Sequence, residues 1–289
     1  MTLPPLYHDS CLAFQIEGQD IKGRIIRLDH CLNEVLGNHD YPDDVKRELG
    51  QAMALSALLG SMMKYDGILT LQLKSDGRIQ TLVSDFSTDG SGSGVVRGYC
   101  GLSDEDGSDK PLLGMGQLMI TMDQGQYMDR YQGIVALQNH SLKESAEEYF
   151  QTSEQLPTHL MISCDRDAGG QWTAAAIMIQ HLAGDSHEQA RDHWATATIL
   201  LSSIKKAELL DNSLSLQDIL LRLFHERGVR VFTATEMRSG CRCSEKKLRS
   251  VLASFTAEEL QDCAEDGIIT MTCEFCMTDH KFELKKLIN

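Results

Sequence analysis

Apolar positions along the first 182 residues follow two periods in turn, and that alternation predicts a mixed α/β region. Val45, Leu49, Ala52, Leu55, Leu59 and Met62 recur at helical spacing. They follow Tyr41-Pro42-Asp43-Asp44, where proline and acids suit a first helical turn, and Asp66-Gly67 marks a stop. Residues 68–74 and 78–83 alternate as strands about Ser75-Asp76-Gly77, which reads as a hairpin turn. Further strands are predicted over 95–100, 117–122, 133–138, 159–164 and 172–180. Ser141, with Glu144 three residues on, carries a capping-box pattern for a helix through Phe150.

From His187 to about Arg227 the pattern changes to amphipathic helices. Ala190, Trp194, Ala197, Leu201 and Ile204 share one face, and a break follows at Asp211-Asn212-Ser213. Ser215 and Asp218 form a second capping pattern ahead of Ile219, Leu220, Leu223 and Phe224. These stripes are too small for a core of their own, so they must dock on another element. Docked helices can also undock.

The fold class expected is α+β in three parts: a mixed α/β core over 1–182, a helical linker over 183–238 and a small C-terminal domain over 239–289. A segment of 51 residues rarely buries enough apolar area to fold unaided, so a staple is expected there. The cysteines supply one. Cys241 and Cys243 form one close pair, Cys273 and Cys276 another, with 29 residues between the pairs. Thiolates at that spacing can converge on a tetrahedral ion, and zinc, one per chain, is the expected occupant. A single residue separates the sulfurs of the first pair, so they can also close on each other. Arg242, Lys246 and Lys247 add positive charge that favours thiolate. Cys263 sits in a helical stretch over 255–263 and reads as a packed thiol, while His280 is placed outside a shell that four cysteines already fill.

Composition narrows the partners. A net charge of −15 argues against nucleic acid, whose phosphates need a basic surface. No secretory pattern opens the chain at Met1-Thr2-Leu3-Pro4-Pro5-Leu6, and no long apolar run suggests a membrane span. An odd count of nine cysteines, with Cys11, Cys31, Cys100 and Cys164 scattered, fits a reducing cytoplasm. Catalytic motifs fail on inspection, and no enzyme is expected. His187-Glu188 and His225-Glu226 do not continue as H-E-x-x-H, and there is no G-x-S-x-G elbow. The Gly/Ser tract 87–94 lacks the Gly-Lys-Ser/Thr ending of a phosphate loop and reads as a flexible connection.

Taken together, the two cysteine pairs, Val96-Arg97-Gly98-Tyr99, the stretch 149–158 and Leu223-Phe224-His225-Glu226 resemble the redox-regulated heat-shock protein 33 (33 kDa chaperonin) family of bacteria. The resemblance spans most of the chain. It implies an ATP-independent holdase, inactive while reduced and zinc-bound through Cys241, Cys243, Cys273 and Cys276. It implies that oxidation joins Cys241 to Cys243 and Cys273 to Cys276, releases zinc and unfolds the zinc domain and linker. The active oxidised form is then commonly a homodimer that binds unfolding or oxidatively damaged clients. On this chain the client-binding candidates are Trp194, Leu201, Ile204, Leu223 and Phe224.

Two other classes compete. A zinc-ribbon regulatory or nucleic-acid-binding module is disfavoured by charge, because residues 239–289 carry seven Lys/Arg against nine Asp/Glu. A thiol–disulfide oxidoreductase would place Cys273-x-x-Cys276 at a helix N-terminus, whereas the flanking sequence reads as a hairpin.

Overall fold

The computed structural model describes residues 8–88, 90, 92–103, 110–125, 128–138, 141–182 and 188–288. The N-terminal stretch 1–6, His187, and Asp89 and Ser91 of the Gly/Ser tract lie outside the described residues. In chain order the core elements are β1 (Ser10–Ile16), β2 (Ile21–Leu28), α1 (His30–Gly37), α2 (Asp43–Gly60), β3 (Ile68–Ser75), β4 (Ile79–Thr88), β5 (Gly94–Leu102), β6 (Met115–Asp123), β7 (Tyr131–Gln138), α3 (Leu142–Tyr149), β8 (Thr158–Arg166) and β9 (Trp172–His181). Then come α4 (Glu188–Ser202), α5 (Lys206–Leu209), α6 (Leu216–Phe224), β10 (Val229–Val231), β11 (Thr235–Ser239), α7 (Glu245–Leu252), α8 (Ala257–Asp262), β12 (Ile268–Thr272) and β13 (Asp279–Glu283).

The strands foreseen between residues 68 and 180 all form, and the hairpin about Ser75-Asp76-Gly77 pairs β3 with β4. Helix α2 ends at Gly60, earlier than the Asp66-Gly67 stop, where a Cβ would collide with the ring of Phe86. Both capping boxes are made: Ser141 with Glu144 opens α3, and Ser215 with Asp218 opens α6. Among the described residues, one hydrogen-bonded sheet runs β7-β6-β3-β4-β5-β11-β1-β2-β9-β8, with β10 also on β1. Helix α2 packs against this sheet; Leu49, Met53, Leu55 and Leu58 are wholly buried in the main core.

Within 183–238 helix extends to Phe224, and the chain then returns to the sheet as β10 and β11. Strand β11 is the seam. It pairs parallel with β5, Met237 opposite Gly94, and antiparallel with β1, Ser10 opposite Glu236. The seam joins the β3–β7 half of the sheet to the half made of β1, β2, β8 and β9.

Helices α4 to α6 cover the opposite face of β1, β2 and β9, forming a second apolar cluster with Phe14, Ile25 and Ile177. Buried Arg27 helps fix them, donating to the Leu214 carbonyl at 2.7 Å and the Leu209 carbonyl at 3.3 Å. Beyond the seam a third cluster is small: Leu252, Leu260, Ile269 and Phe282 are its buried residues.

Candidate metal centre

Cys241 and Cys243 follow β11 directly and precede α7, whose N-cap Ser244 accepts from the Lys247 amide. Gly240 lets the chain leave the seam close to β5, since a Cβ there would lie 2.7 Å from Val95 Cγ1. Cys273 and Cys276 occupy the turn between β12 and β13. The Met277 amide donates to the Cys273 carbonyl at 2.8 Å, the Cys273 amide to the Thr278 carbonyl at 3.0 Å, and Met277 takes a left-handed φ of 53°. Tight turns on both sides aim the two pairs at one point. The C-x-x-C pair lies in a hairpin turn and not at a helix N-terminus, as the flanking sequence foretold.

All four sulfurs lie within 4.8 Å of one another. Cys241 Sγ is 3.6 Å from Cys273 Sγ, and Cys243 Sγ is 3.7 Å from Cys276 Sγ. A tetrahedral ion with sulfur bonds of about 2.3 Å separates its ligands by about 3.8 Å, so the spacing fits a metal such as zinc. The electrostatics fit as well. Burial and the neighbouring Cys241 and Cys276 sulfurs push the Cys243 thiol up. At Cys276 burial acts upward too, but the Thr278 hydroxyl and amide with the Cys241 and Cys243 thiols outweigh it, leaving about 7. Four thiolates this close repel one another unless a divalent cation lies between them. These four residues can therefore hold a metal ion. Cys263 is exposed at the C-cap of α8, and neither it nor His280 belongs to the cluster.

A feature the sequence did not disclose ties this centre to the core. Buried Asp85 on β4 takes Arg97 Nε at 2.9 Å, Arg97 Nη2 at 2.6 Å and Arg242 Nη2 at 2.5 Å, all on one oxygen. Thr70 Oγ1 donates to its other oxygen at 2.7 Å. Arg242 is the spacer between Cys241 and Cys243. Arg97 also lies 3.7 Å above the ring of Phe275, a spacer between Cys273 and Cys276, and its Nη1 is 3.8 Å from Cys241 Sγ. Tyr99 meets Phe275 edge-on at 4.8 Å. One core carboxylate thus holds the spacer of the first cysteine pair directly and that of the second through Arg97. The available signal was an acidic residue, Asp85, set among Leu82, Val83 and Phe86.

The other candidates sit apart from the metal centre. Leu201, Ile204, Leu223 and Phe224 are buried under the α4–α6 layer, and Trp194 is half-buried, edge-on to His181 at 5.9 Å. Phe224 packs on Phe14 with ring centroids 6.0 Å apart. Polar ties pin the layer at its margin: His159 Nε2 to Ser202 Oγ at 2.8 Å, and Lys206 Nζ to Asp165 at 2.5 Å. Among the described residues no helix is long and apolar enough to cross a membrane.

Known proteins resemble this chain in sequence and fold. The family model described as Hsp33 protein matches residues 9–283. A 33 kDa chaperonin of Caulobacter vibrioides is 39% identical over 95% of this chain and 95% of its own length. One from Escherichia coli is 33% identical over 95% of this chain and 92% of its own. The crystal structure of a 33 kDa chaperonin from Thermotoga maritima superposes with a TM-score of 0.82 at 21% identity, covering 97% of this chain and 98% of that one.

Proposed function

Because the chain belongs to the Hsp33 family, we propose that it is a chaperone: an ATP-independent holdase switched by the redox state of Cys241, Cys243, Cys273 and Cys276. The observation that carries this reading is the convergence of four sulfurs on a module with only four buried apolar residues. Bound zinc supplies a cross-link between distant parts of the chain and performs no chemistry on a substrate. The segments 1–182, 183–238 and 239–289 then act as core, linker and switch.

In the reduced state the four thiolates hold the loop of about 30 residues closed, a constraint worth about 3.5 kcal/mol in the chain-entropy model. Structural metal binding in small domains is worth about 10–16 kcal/mol, all of it folding free energy. Oxidation takes two electrons from each pair of thiolates, Cys241 with Cys243 and Cys273 with Cys276, and one peroxide with two protons from solvent becomes two waters for each disulfide formed. Neither disulfide spans the two pairs, so the long-range tie is lost. Pairing is decisive, because close sulfur contacts also run between the pairs. A Cys241–Cys273 bridge would preserve the tie and keep the module folded. Short loops favour the local bridges once the metal has left.

Unfolding of the module removes Arg242 and Phe275 from the core and frees the chain that follows α6. Release of the α4–α6 layer then exposes Trp194, Leu201, Ile204, Leu223 and Phe224, an apolar surface suited to unfolding and oxidatively damaged clients. The active oxidised form is a homodimer, and the thiol-rich resting form suits the cytoplasm. A net charge of −15 disfavours the phosphates of nucleic acid as partners.

The test follows zinc release, thiol count, disulfide mapping and client aggregation in one peroxide-treated sample. Loss of one zinc and four thiols, two local disulfides and suppressed aggregation are expected together. Full holdase activity in the reduced, metal-bound protein, or cross-pair disulfides in the active one, would overturn the switch.

A further inference from the structure

A second group of side chains with metal-ligand chemistry lies at the start of β1 and α1, away from the cysteines. His8 Nδ1 is 2.5 Å from Asp29 Oδ2, and His30 Nε2 is 3.8 Å from Asp29 Oδ1. One donor atom from each of the three residues falls within 4.8 Å of the other two. The carboxylate between the imidazoles is nearly buried, with 9% of its side chain exposed, while His8 and His30 keep 41% and 79%. Such a site is walled by protein on one side and open to water on the other.

Asp9 backs this group. It takes a left-handed φ of 42°, costly for a residue other than glycine. In that conformation its carboxylate accepts the Asp29 amide at 2.8 Å and the Cys31 amide at 3.3 Å. The Asp29 carboxylate is thus held beside two imidazoles, with the Asp9 carboxylate behind it on the Asp29 and Cys31 amides, an arrangement that a dication can join.

We propose that His8, Asp29 and His30 bind a divalent transition-metal ion, with Asp9 as the supporting carboxylate and water completing the shell. Two imidazoles and one carboxylate select zinc, nickel or cobalt over calcium and magnesium, which take oxygen ligands. Bonds of about 2.1 Å in tetrahedral array separate donors by about 3.4 Å, against one donor atom per residue lying within 4.8 Å of the others here. Small rotations of two exposed imidazoles close the difference. The Asp9 carbonyl accepts the Met237 amide of β11 at 2.6 Å, so an ion here would stiffen the foot of the strand that leads to Cys241.

The proposal is tested by titrating reduced, metal-stripped full-length protein with cobalt(II) and following its absorption. Two equivalents per chain are expected: one with sulfur-to-cobalt charge transfer from the cysteine centre, and one without it. His8→Ala, His30→Ala and the size-preserving His30→Gln should each lose the second equivalent and keep the first. His30 is mostly exposed, so its replacement leaves packing intact, which circular dichroism checks. A single equivalent in the parent protein, or a second that survives these substitutions, would show the cluster to be an ion pair only.

Discussion

The core sheet and the cysteine module are built from the same chain by different physics. In the core, α2 and the sheet bury dozens of apolar side chains, and the thiols of Cys11, Cys31, Cys100 and Cys164 are buried among them. Burial pushes all four of those thiols up, which makes them poor nucleophiles and poor ligands. The module buries Leu252, Leu260, Ile269 and Phe282 and keeps its paired thiols within reach of solvent. Cysteine serves as an apolar filler in one region and as the fastening of the other. The lesson is that a thiol's role here follows from what surrounds it, since all nine are the same residue type.

The comparison breaks first on metal removal. Chelation under reducing conditions, or Cys273→Ser, should withdraw about 10–16 kcal/mol of binding free energy and unfold the module. Hydrogen exchange should then show residues 241–287 unprotected while β3–β6 stay protected. Equal loss in both regions would mean that they fold as one unit.

Next in size is Phe282→Ala, which removes the most buried ring of the module, 1% exposed. A loss of about 3–5 kcal/mol is expected. Metal affinity should weaken with it, whereas a comparable core change such as Leu71→Ala should lower the denaturation midpoint and leave that affinity unchanged.

Asp85→Ala separates docking from folding. Two guanidiniums are left partly buried without their carboxylate, at a cost of about 3 kcal/mol. The variant should keep its metal but expose the segment around Arg242 to protease. Persistence of the parental cleavage pattern would show that the docked position depends on other contacts.

The smallest effect concerns pH and belongs to the core alone. Burial holds the largely buried Glu48 carboxyl up at about 7, against an ordinary 4.5. Below about pH 4.5 it is protonated in both states and costs nothing. As pH rises from there through 7 the unfolded chain releases the proton first, so stability falls and then levels off. Glu48→Gln should therefore stabilise the protein at pH 8 by up to about 3 kcal/mol and have little effect at pH 4. Paired denaturant titrations at the two pH values measure the difference.

Much of this molecule can be read from its sequence where a rule is local. Period-two strands, the α2 stripe and the capping boxes at Ser141 and Ser215 are local, and each forms as expected. So is the cysteine spacing, which marks four residues that meet in space. Strands β1 and β2 escaped because their apolar residues, as in Ile25-Ile26, face two different cores and blur the alternation. The Asp85–Arg97–Arg242 cluster escaped because its partners lie 12 and 157 residues apart. Strands β10 and β11 are three and five residues long, and their place in the sheet is set by partners far away.

That long reach of β11 has a consequence for the birth of the protein. Its partner β5 ends at Leu102 and its other partner β1 at Ile16, yet β11 begins at Thr235. At translation rates of about 5–20 residues per second, both edges wait on the order of ten seconds for the strand that separates them from solvent. Unpaired edges of this kind invite other chains to add to them. A nascent copy of this protein therefore carries two open sheet edges until residues 235–239 are made.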